Sequence, residues 1–411
     1  MAKSPIIVGL DIGTTKICAV IGEQNEAGQL EIIGLGSSKS TGMRRGVVVN
    51  IEQTVQSIRK AVEDAELMAG RQIESVYAGI AGSHIMGINS DGLIAVKGGI
   101  VTQRDIERVI DAAKVLAIPA NREVIHTLPQ EYIIDSQRGI VDPLGMAGVR
   151  LEVKVHIVTG DVSSAQNIVR SCRRSNLQVA DLALESLASA KAVLTKEERE
   201  IGVALVDIGG GTTDVAIFAN DAIKHTAVLP IGGQHLSNDI AFGLKTPVAE
   251  AEKIKTKYGC AIEDMIENDE VFEVPLVGGR NPAKATRRQL ATICEPRMVE
   301  ILELVDQVIA RSTYKDLLGA GIVLTGGAAL IPGCQELGAE IFDAPTRIGY
   351  PLEIGGIKDI VHSPKFSTAV GLLRYGAEQE QPVNRIFSSN NDSGIFEGIL
   401  ARMKRWFLDI S

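Results

Sequence analysis

Positive charge is in deficit in this 411-residue chain, with 42 Lys plus Arg against 51 Asp plus Glu and a formal net charge of −9. Such a surface repels phosphate polyanions, which excludes a non-specific nucleic-acid binder and means that any anionic partner is met locally. Cysteine is sparse and scattered. Cys18, Cys172, Cys260, Cys294 and Cys334 include no CxxC pair and are odd in number, a pattern of free thiols suited to a reducing cytosol. The six histidines show no HxxxH or similar spacing, so no structural zinc site is expected. Long apolar runs are missing too. The short run Ile6 to Leu10 is cut by Asp11 and is too brief for a secretory signal. Leu317 to Gln335 is uncharged and of spanning length, yet its glycines and Pro332 read as a strand, a glycine turn and a new element. Aromatics are few, 1 Trp, 6 Tyr and 8 Phe, so their positions carry information. What remains is 45% apolar and 23% charged without low-complexity bias, a folding composition that at this length implies roughly two to four packed units.

Two segments carry chemistry. Ile6-Ile-Val-Gly-Leu-Asp-Ile-Gly-Thr-Thr-Lys-Ile-Cys-Ala-Val20 is an apolar run, a turn of Asp, Gly and Thr, and another apolar run, the pattern of a β-hairpin. A related copy follows 196 residues later as Val203-Ala-Leu-Val-Asp-Ile-Gly-Gly-Gly-Thr-Thr-Asp-Val-Ala-Ile217. Glycine in each turn lets backbone N–H groups approach an anion, and the Thr hydroxyls add donors, which makes a phosphate cradle. Asp11 and Asp207 supply hard oxygens, one from each hairpin, in the manner of Mg²⁺ sites that use one or two carboxylates plus nucleotide phosphates. Asp-Gly turns also simply close hairpins, and it is the pair that argues for more. A third segment, Gly321 to Gly333, reads as a buried strand entering Gly326-Gly327 and then a helix, where close backbone approach would accept a flat adenine ring.

In this order and spacing the three segments resemble the nucleotide site of the actin, Hsp70 and sugar-kinase superfamily. The resemblance implies an α/β fold, an actin-like two-lobed ATPase with ATP and Mg²⁺ between the lobes. Asp11, Gly13, Thr14, Thr15 and Lys16 would form the first phosphate loop. Asp207, Gly209, Gly210, Gly211, Thr212 and Thr213 would form the second, with Gly326 and Gly327 in the adenosine motif. Glu252 and Lys255, in Ala251-Glu-Lys-Ile-Lys255, would approach the ribose, and Asp11 and Asp207 would hold Mg²⁺ through water. Leu182 to Ala190 and Ser367 to Gly376 look like the two connecting helices, with small residues where they cross.

Within the superfamily the chain is similar to the FtsA family of bacterial division proteins, in Leu128-Pro-Gln-Glu-Tyr132, Gly148-Val-Arg150, Lys154-Val-His156, Val277-Gly-Gly-Arg280, Glu295-Pro-Arg297 and Arg347-Ile-Gly349. The implied division is 5–82, 161–195 and 364–384 for the first lobe's core (1A) and 83–160 for an FtsA-type inserted interaction subdomain (1C). Residues 196–240 and 300–363 would form the second lobe's core (2A), and 241–299 its subdomain 2B. In the insertion, Thr102 and Asp105 read as a capping box for a helix over Val101 to Leu116 with Ile106, Val109, Ile110 and Ala113 on one face. The resemblance further implies self-assembly into filaments, recruitment of the ring protein FtsZ through its C-terminal peptide on 2B, and contact with later division proteins. Arg287, Arg288 and Arg297 are candidates to receive the peptide's acidic groups, although surface arginines are often merely solvated.

A polar linker, 385–393, precedes Gly394 to Ser411. At about 100° per residue, Ile395, Phe396, Ile399, Leu400, Met403, Trp406, Phe407 and Ile410 fall within an arc of about 140°, flanked by Arg402, Lys404 and Arg405. This C-terminal amphipathic helix could dock on the protein's own core. The linker, the bulky aromatics and the flanking cations favour reversible insertion at a membrane surface, firmer when many protomers act together. The expected location is therefore the cytoplasmic face of the inner membrane at the division site.

If the site hydrolyses ATP, a polar group must orient water near the γ-phosphate. Glu185 is the first candidate and Asp214 the second, while Glu185 could equally cap or pair, so at most weak ATPase activity is expected. The alternatives are a small-molecule kinase of the same superfamily, for which no carboxylate base facing an acceptor is apparent, and a PilM-like pilus-assembly ATPase, which the membrane-type tail fits less well. An ATP-gated chaperone would need a substrate-binding domain for which no room remains after residue 376.

Overall fold

The computed structural model describes residues 5–25, 29–115, 118–279 and 281–379. The linker and the amphipathic segment, 385–411, lie outside the described residues.

The chain begins with the first expected hairpin, β1 (Ile6–Ile12) and β2 (Lys16–Gln24). Both strands are near-continuous apolar runs because both faces are covered. β3 (Leu30–Lys39) continues the meander, and a small hairpin, β4 (Met43–Arg44) and β5 (Val47–Val48), leads into α1 (Ile51–Ala69). The Asn50 side chain caps α1 by accepting from the Gln53 N–H, and left-handed Gly70 ends it. Its buried Val55, Ile58, Val62 and Ala65 recur at helical spacing and pack over β3. β6 (Ser75–Ile80) then runs parallel to β1.

Residues 86–161 leave this lobe to build a separate sheet. It comprises β7 (Met86–Ala95), α2 (Gln103–Ala113), β8 (Arg122–Ile134), β9 (Gln137–Ile140) and β10 (Arg150–Asp161), in the order β7-β10-β8-β9. α2 has the expected capping box, with Thr102 and Asp105 each accepting from the other's backbone N–H. Its Ile106 and Val109 join Val101, Tyr132, Leu151 and Val153 in a core of their own.

The chain returns through α3 (Val162–Arg174) and β11 (Gln178–Leu184), then α4 (Glu185–Val193) and α5 (Lys196–Ile201). The first connecting helix thus starts three residues later than the expected Leu182 and runs on to Val193. The parallel ladder with β6, Leu182 opposite Ala78 and Leu184 opposite Ile80, keeps those residues extended and starts the helix at Glu185.

The second lobe repeats the plan: β12 (Val203–Ile208), β13 (Thr213–Ala219), β14 (Ala222–Leu229), α6 (Gly233–Leu244), α7 (Val248–Tyr258), the hairpin β15 (Val271–Val274) and β16 (Ala283–Thr286), α8 (Arg287–Arg311), β17 (Ile322–Thr325), α9 (Cys334–Phe342) and β18 (Thr346–Ile348). The order β14-β13-β12-β17-β18 matches β3-β2-β1-β6-β11 strand for strand, each with an antiparallel hairpin beside parallel strands. The uncharged stretch after Leu317 is indeed β17, a glycine turn and α9, and among the described residues no helix is long and apolar enough to cross a membrane. β19 (Gly355–Gly356) crosses back to pair with β3, somewhat before the expected return at 364, and α10 (Lys358–Val361) leads to α11 (Ser367–Gln379). All five cysteines are buried, unpaired thiols.

α4 and α11 connect the lobes and cross closely. A Cβ built on Gly371 would lie 1.7 Å from the Ala188 carbonyl oxygen, a backbone atom that cannot step aside. Gly371→Ala should therefore pry the two helices apart at a cost of about 1 to 3 kcal/mol. The expected result is a thermal unfolding midpoint several degrees below the parent's; an unchanged midpoint would show that the crossing yields freely.

Candidate functional site

The two Asp-Gly-Thr hairpins meet tip to tip across the cleft. A Cβ on Gly210 would lie 2.4 Å from Thr15 Cγ2, and one on Gly211 would lie 2.4 Å from Thr14 Oγ1, so these glycines are required by the facing turn as well as by any anion. Behind the tips lies a cavity of about 430 Å³ lined by residues of both lobes. Asp11, Gly13, Thr14, Thr15, Lys16, Asp207, Gly209, Gly210, Gly211, Thr212, Glu252, Lys255, Gly326 and Gly327 all reach it, together with Glu185 and Asp214. Thr213 does not. Its side chain is wholly buried and its hydroxyl donates to the Ile231 carbonyl at 2.8 Å, fixing the turn that follows β14.

Lys16 and Asp11 form an ion pair at 3.6 Å, and the Lys16 ammonium also donates to the Lys365 carbonyl at 2.5 Å. Asp207 accepts from the Ser189 hydroxyl on α4 at 2.6 Å and from the Thr368 hydroxyl on α11 at 3.2 Å. Each connecting helix thus places one hydroxyl on the second lobe's carboxylate. On α7, the Lys255 ammonium is buried and donates to the Gly233 carbonyl, the Ser237 hydroxyl and the Glu252 carboxylate, at 3.0, 2.9 and 2.7 Å. Lys255 consequently orients Glu252 and the start of α6, while half of the Glu252 side chain stays accessible. Ala328, Leu330, Ile331 and Pro332 add an apolar wall after Gly326-Gly327, suited to a flat ring.

Sequence reasoning missed Ser189, Thr368, Lys365, Gly233 and Gly46. The Gly46 N–H, in the turn between β4 and β5, donates to Thr14 Oγ1 at 3.0 Å. Small residues in the connecting helices were the available signal for Ser189 and Thr368, but their pattern speaks of helix crossing, and the hydroxyls' target lies in a distant segment.

Four of the carboxyl groups in this cleft, those of Asp11, Glu185, Asp207 and Asp214, are pushed toward the neutral form. Burial raises Asp11, with Lys16 opposing, and burial raises Asp207, with the Ser189 hydrogen bond opposing. Burial raises Glu185 well above the ordinary glutamate range, and the charges of Asp11, Asp214 and Asp207 add to it. Burial and then the Asp207 charge push Asp214 up to about 8, and its Oδ1 is buried without a hydrogen-bond partner among the described residues. Such a crowding of buried carboxyls, with Asp214 Oδ1 unsatisfied, suits a hydrated divalent cation.

The three candidate peptide-binding arginines are not a free cationic patch. Arg297 grips Asp239 through Nε and Nη2, at 2.5 and 3.2 Å, and also bonds Glu300. Arg287 donates to the Tyr258 carbonyl at 3.3 Å and Arg288 to the Ile266 carbonyl at 2.6 Å. Each spends guanidinium donors on its own lobe because α8 begins and runs beside polar loop backbone and α6. The membrane-facing set, from Ile395 to Phe407, lies outside the described residues.

The raised carboxyls give a pH signature. Asp214 binds its proton more tightly in the folded state than at the unfolded value of 3.8, so its contribution to stability is full below that value and is lost as pH rises through about 8. Asp11, Asp207 and Glu185 act in the same direction. Asp214→Asn, measured without nucleotide or divalent cation, should lose less of its thermal midpoint between pH 5 and pH 8 than the parent does. An equal loss in both proteins would contradict the assignment.

The FtsA family model, described as cell division protein FtsA, matches residues 204–371, and that of the SHS2 domain inserted in FtsA matches 82–159. Cell division protein FtsA of Pseudomonas aeruginosa is 50% identical over 404 residues, covering 98% of this chain and 97% of that protein. The Escherichia coli K12 relative is 44% identical over 380 residues, covering 91% and 90%. Among solved structures, a PilM-PilN type IV pilus biogenesis complex superposes with a TM-score of 0.65 at 16% identity, covering 90% of this chain and 98% of that one. MreB5 of Spiroplasma citri bound to AMPPNP does so with a TM-score of 0.51 at 16% identity, covering 95% and 100%. At that identity the structures speak for the actin-like fold alone. Matched over nearly its full length by relatives this similar, and carrying their inserted domain, the chain belongs to the FtsA family of cell division proteins.

Proposed function

We propose that this chain is an ATP-binding, actin-like division protein that self-assembles, binds the FtsZ C-terminal peptide through residues 241–299 and tethers the division ring to the membrane through residues 394–411. The observation that carries the nucleotide part is the tip-to-tip meeting of two related hairpins over a cavity into which each brings a buried aspartate at the same motif position, Asp11 and Asp207. Thr14, Thr15, Thr212 and the glycine N–H groups would cradle phosphate oxygens, with Lys16 offsetting their charge. Glu252 would meet the ribose, and Gly326-Gly327 with the apolar wall the adenine. Asp11 and Asp207 would hold Mg²⁺ through its waters; the ion, when bound, supplies charge neutralisation for phosphate and carboxylates alike.

Glu185 and Asp214 remain the candidates to orient water. Burial and the neighbouring carboxylates push both toward the protonated form, which can position water but cannot accept its proton. For peptide binding, Arg288 is more available than Arg297, which serves chiefly to hold α8 on α6 through Asp239. Membrane attachment on the cytoplasmic face at the division site, and contact with later division proteins through residues 83–160, complete the reading.

Two measurements test it. Asp207→Ala should weaken binding of Mg-ATP about tenfold or more, equivalent to roughly 1.4 kcal/mol or above; equal affinity in parent and variant would remove Asp207 from the ion's surroundings. Liposome co-sedimentation should pellet the full chain and leave a version ending at Ser393 in the supernatant. Equal pelleting of both would overturn the anchor.

A further inference from the structure

The two core sheets each end in an outer strand on the same side of the molecule, β11 in the first lobe and β14 in the second. The inserted sheet touches both. From β8, His126 Nε2 accepts the backbone N–H of Leu184 at the end of β11, at 3.0 Å. From β10, His156 Nε2 meets the Thr226 hydroxyl on β14 at 2.9 Å, with both side chains buried. The other ring nitrogen of His156 meets Asn89 Oδ1 on β7 at 2.6 Å, and Asn89 in turn donates to the Lys224 carbonyl of β14 at 3.1 Å. Gln130 of β8 donates to the Ile223 carbonyl of β14 at 2.7 Å. Asn89 and His156 are register partners on adjacent strands, and Gln130, at a bulge of β8, joins them by donating to Asn89 Oδ1 at 3.3 Å. Fit is close here as well: a Cβ on Gly87 would lie 2.3 Å from Thr226 Oγ1. Burial keeps both histidines neutral down to about pH 4, so the lone pair that accepts the Leu184 N–H is available throughout the physiological range.

We propose that the inserted subdomain is a brace between the lobes, fastened to β11 through His126 and to β14 through His156, Asn89 and Gln130. Any rotation of one lobe against the other moves β14 relative to β11, so opening the cleft must break or strain these bonds. Linkage is reciprocal. A partner that tilts the insertion changes how tightly the cleft holds its ligand, and cleft occupancy changes how the insertion is presented. The nucleotide half of this coupling rests on the function proposed above; the mechanical half does not.

The test uses the full chain with spin labels at Arg44→Cys and Asn238→Cys, which line a groove between the lobes in front of the hairpin tips. The five native thiols are buried and should not compete for label. Without nucleotide, Thr226→Val should broaden the inter-label distance distribution toward longer separations, and Thr226→Ser should restore the parent's. Gln130→Ala, at the rim of the contact, guards against a folding defect in the buried variant. With Mg and a fluorescent ATP analogue, Thr226→Val and Gln130→Ala should release nucleotide about three- to tenfold faster, the range a lost hydrogen bond allows. Distances as narrow in Thr226→Val and Gln130→Ala as in the parent overturn the brace. Failure of the parent to bind the analogue would instead sink the nucleotide assignment, and the nucleotide-free distances would still decide the brace.

Discussion

Keeping four carboxyl groups out of water in one cleft is the constraint around which the rest of the molecule is arranged. Charge on any of them must be matched or given up. Lys16 offsets Asp11, hydroxyl groups serve Asp207, and burial pushes Glu185 and Asp214 toward the protonated form. The Asp207 hydroxyls come from Ser189 and Thr368, one on each connecting helix, so the electrostatics of the cleft depend on the crossing of α4 and α11. That crossing depends in turn on Gly371. A chain of dependence therefore runs from a missing Cβ at a helix crossing to the charge state of the central site.

The same economy explains the duplicated architecture. Each lobe needs a hairpin whose turn can reach the cleft, and each sheet supplies it from the antiparallel end of an otherwise parallel core. Full coverage of β1, β2, β12 and β13 on both faces leaves only the turns exposed, which is why chemistry concentrates there.

Much of this was legible in the sequence because it is local. Asp-Ile-Gly with Thr-Thr between apolar runs specifies a hairpin, and Thr102 with Asp105 specifies a helix start, whatever lies elsewhere. What was not legible is long-range. Nothing near Ser189 or Thr368 says that their hydroxyls meet on Asp207. Leu182 to Leu184 carry helix-compatible residues, yet the ladder with β6 holds them extended. Thr213 belongs to the motif by pattern, but strand alternation turns it away from the cavity. Arg297 looks like an exposed cation until α8 is laid on α6, where Asp239 claims it.

The insertion answers a problem that the duplicated plan creates. β14 is an edge strand, and edge strands carry outward backbone groups that must find partners or invite another chain. Here the Ile223 and Lys224 carbonyls are met by the Gln130 and Asn89 amides, not by a further strand. Side chains on the face of a sheet can satisfy an edge without extending its ladder, so the insertion packs against the second lobe while keeping its own register and core. This also sets the character of the contact. Its buried polar centre is a single imidazole and hydroxyl, its rim is amide and carbonyl, and apolar contact is added by Leu128 of β8 against the cluster holding Phe218 and Ile223 and by Val228 of β14 against the cluster holding Val158. A joint built from a few hydrogen bonds and a little apolar contact, with the insertion's main core kept to itself, costs less to release than one built on a common core, which is the balance a part that must move against its neighbour requires.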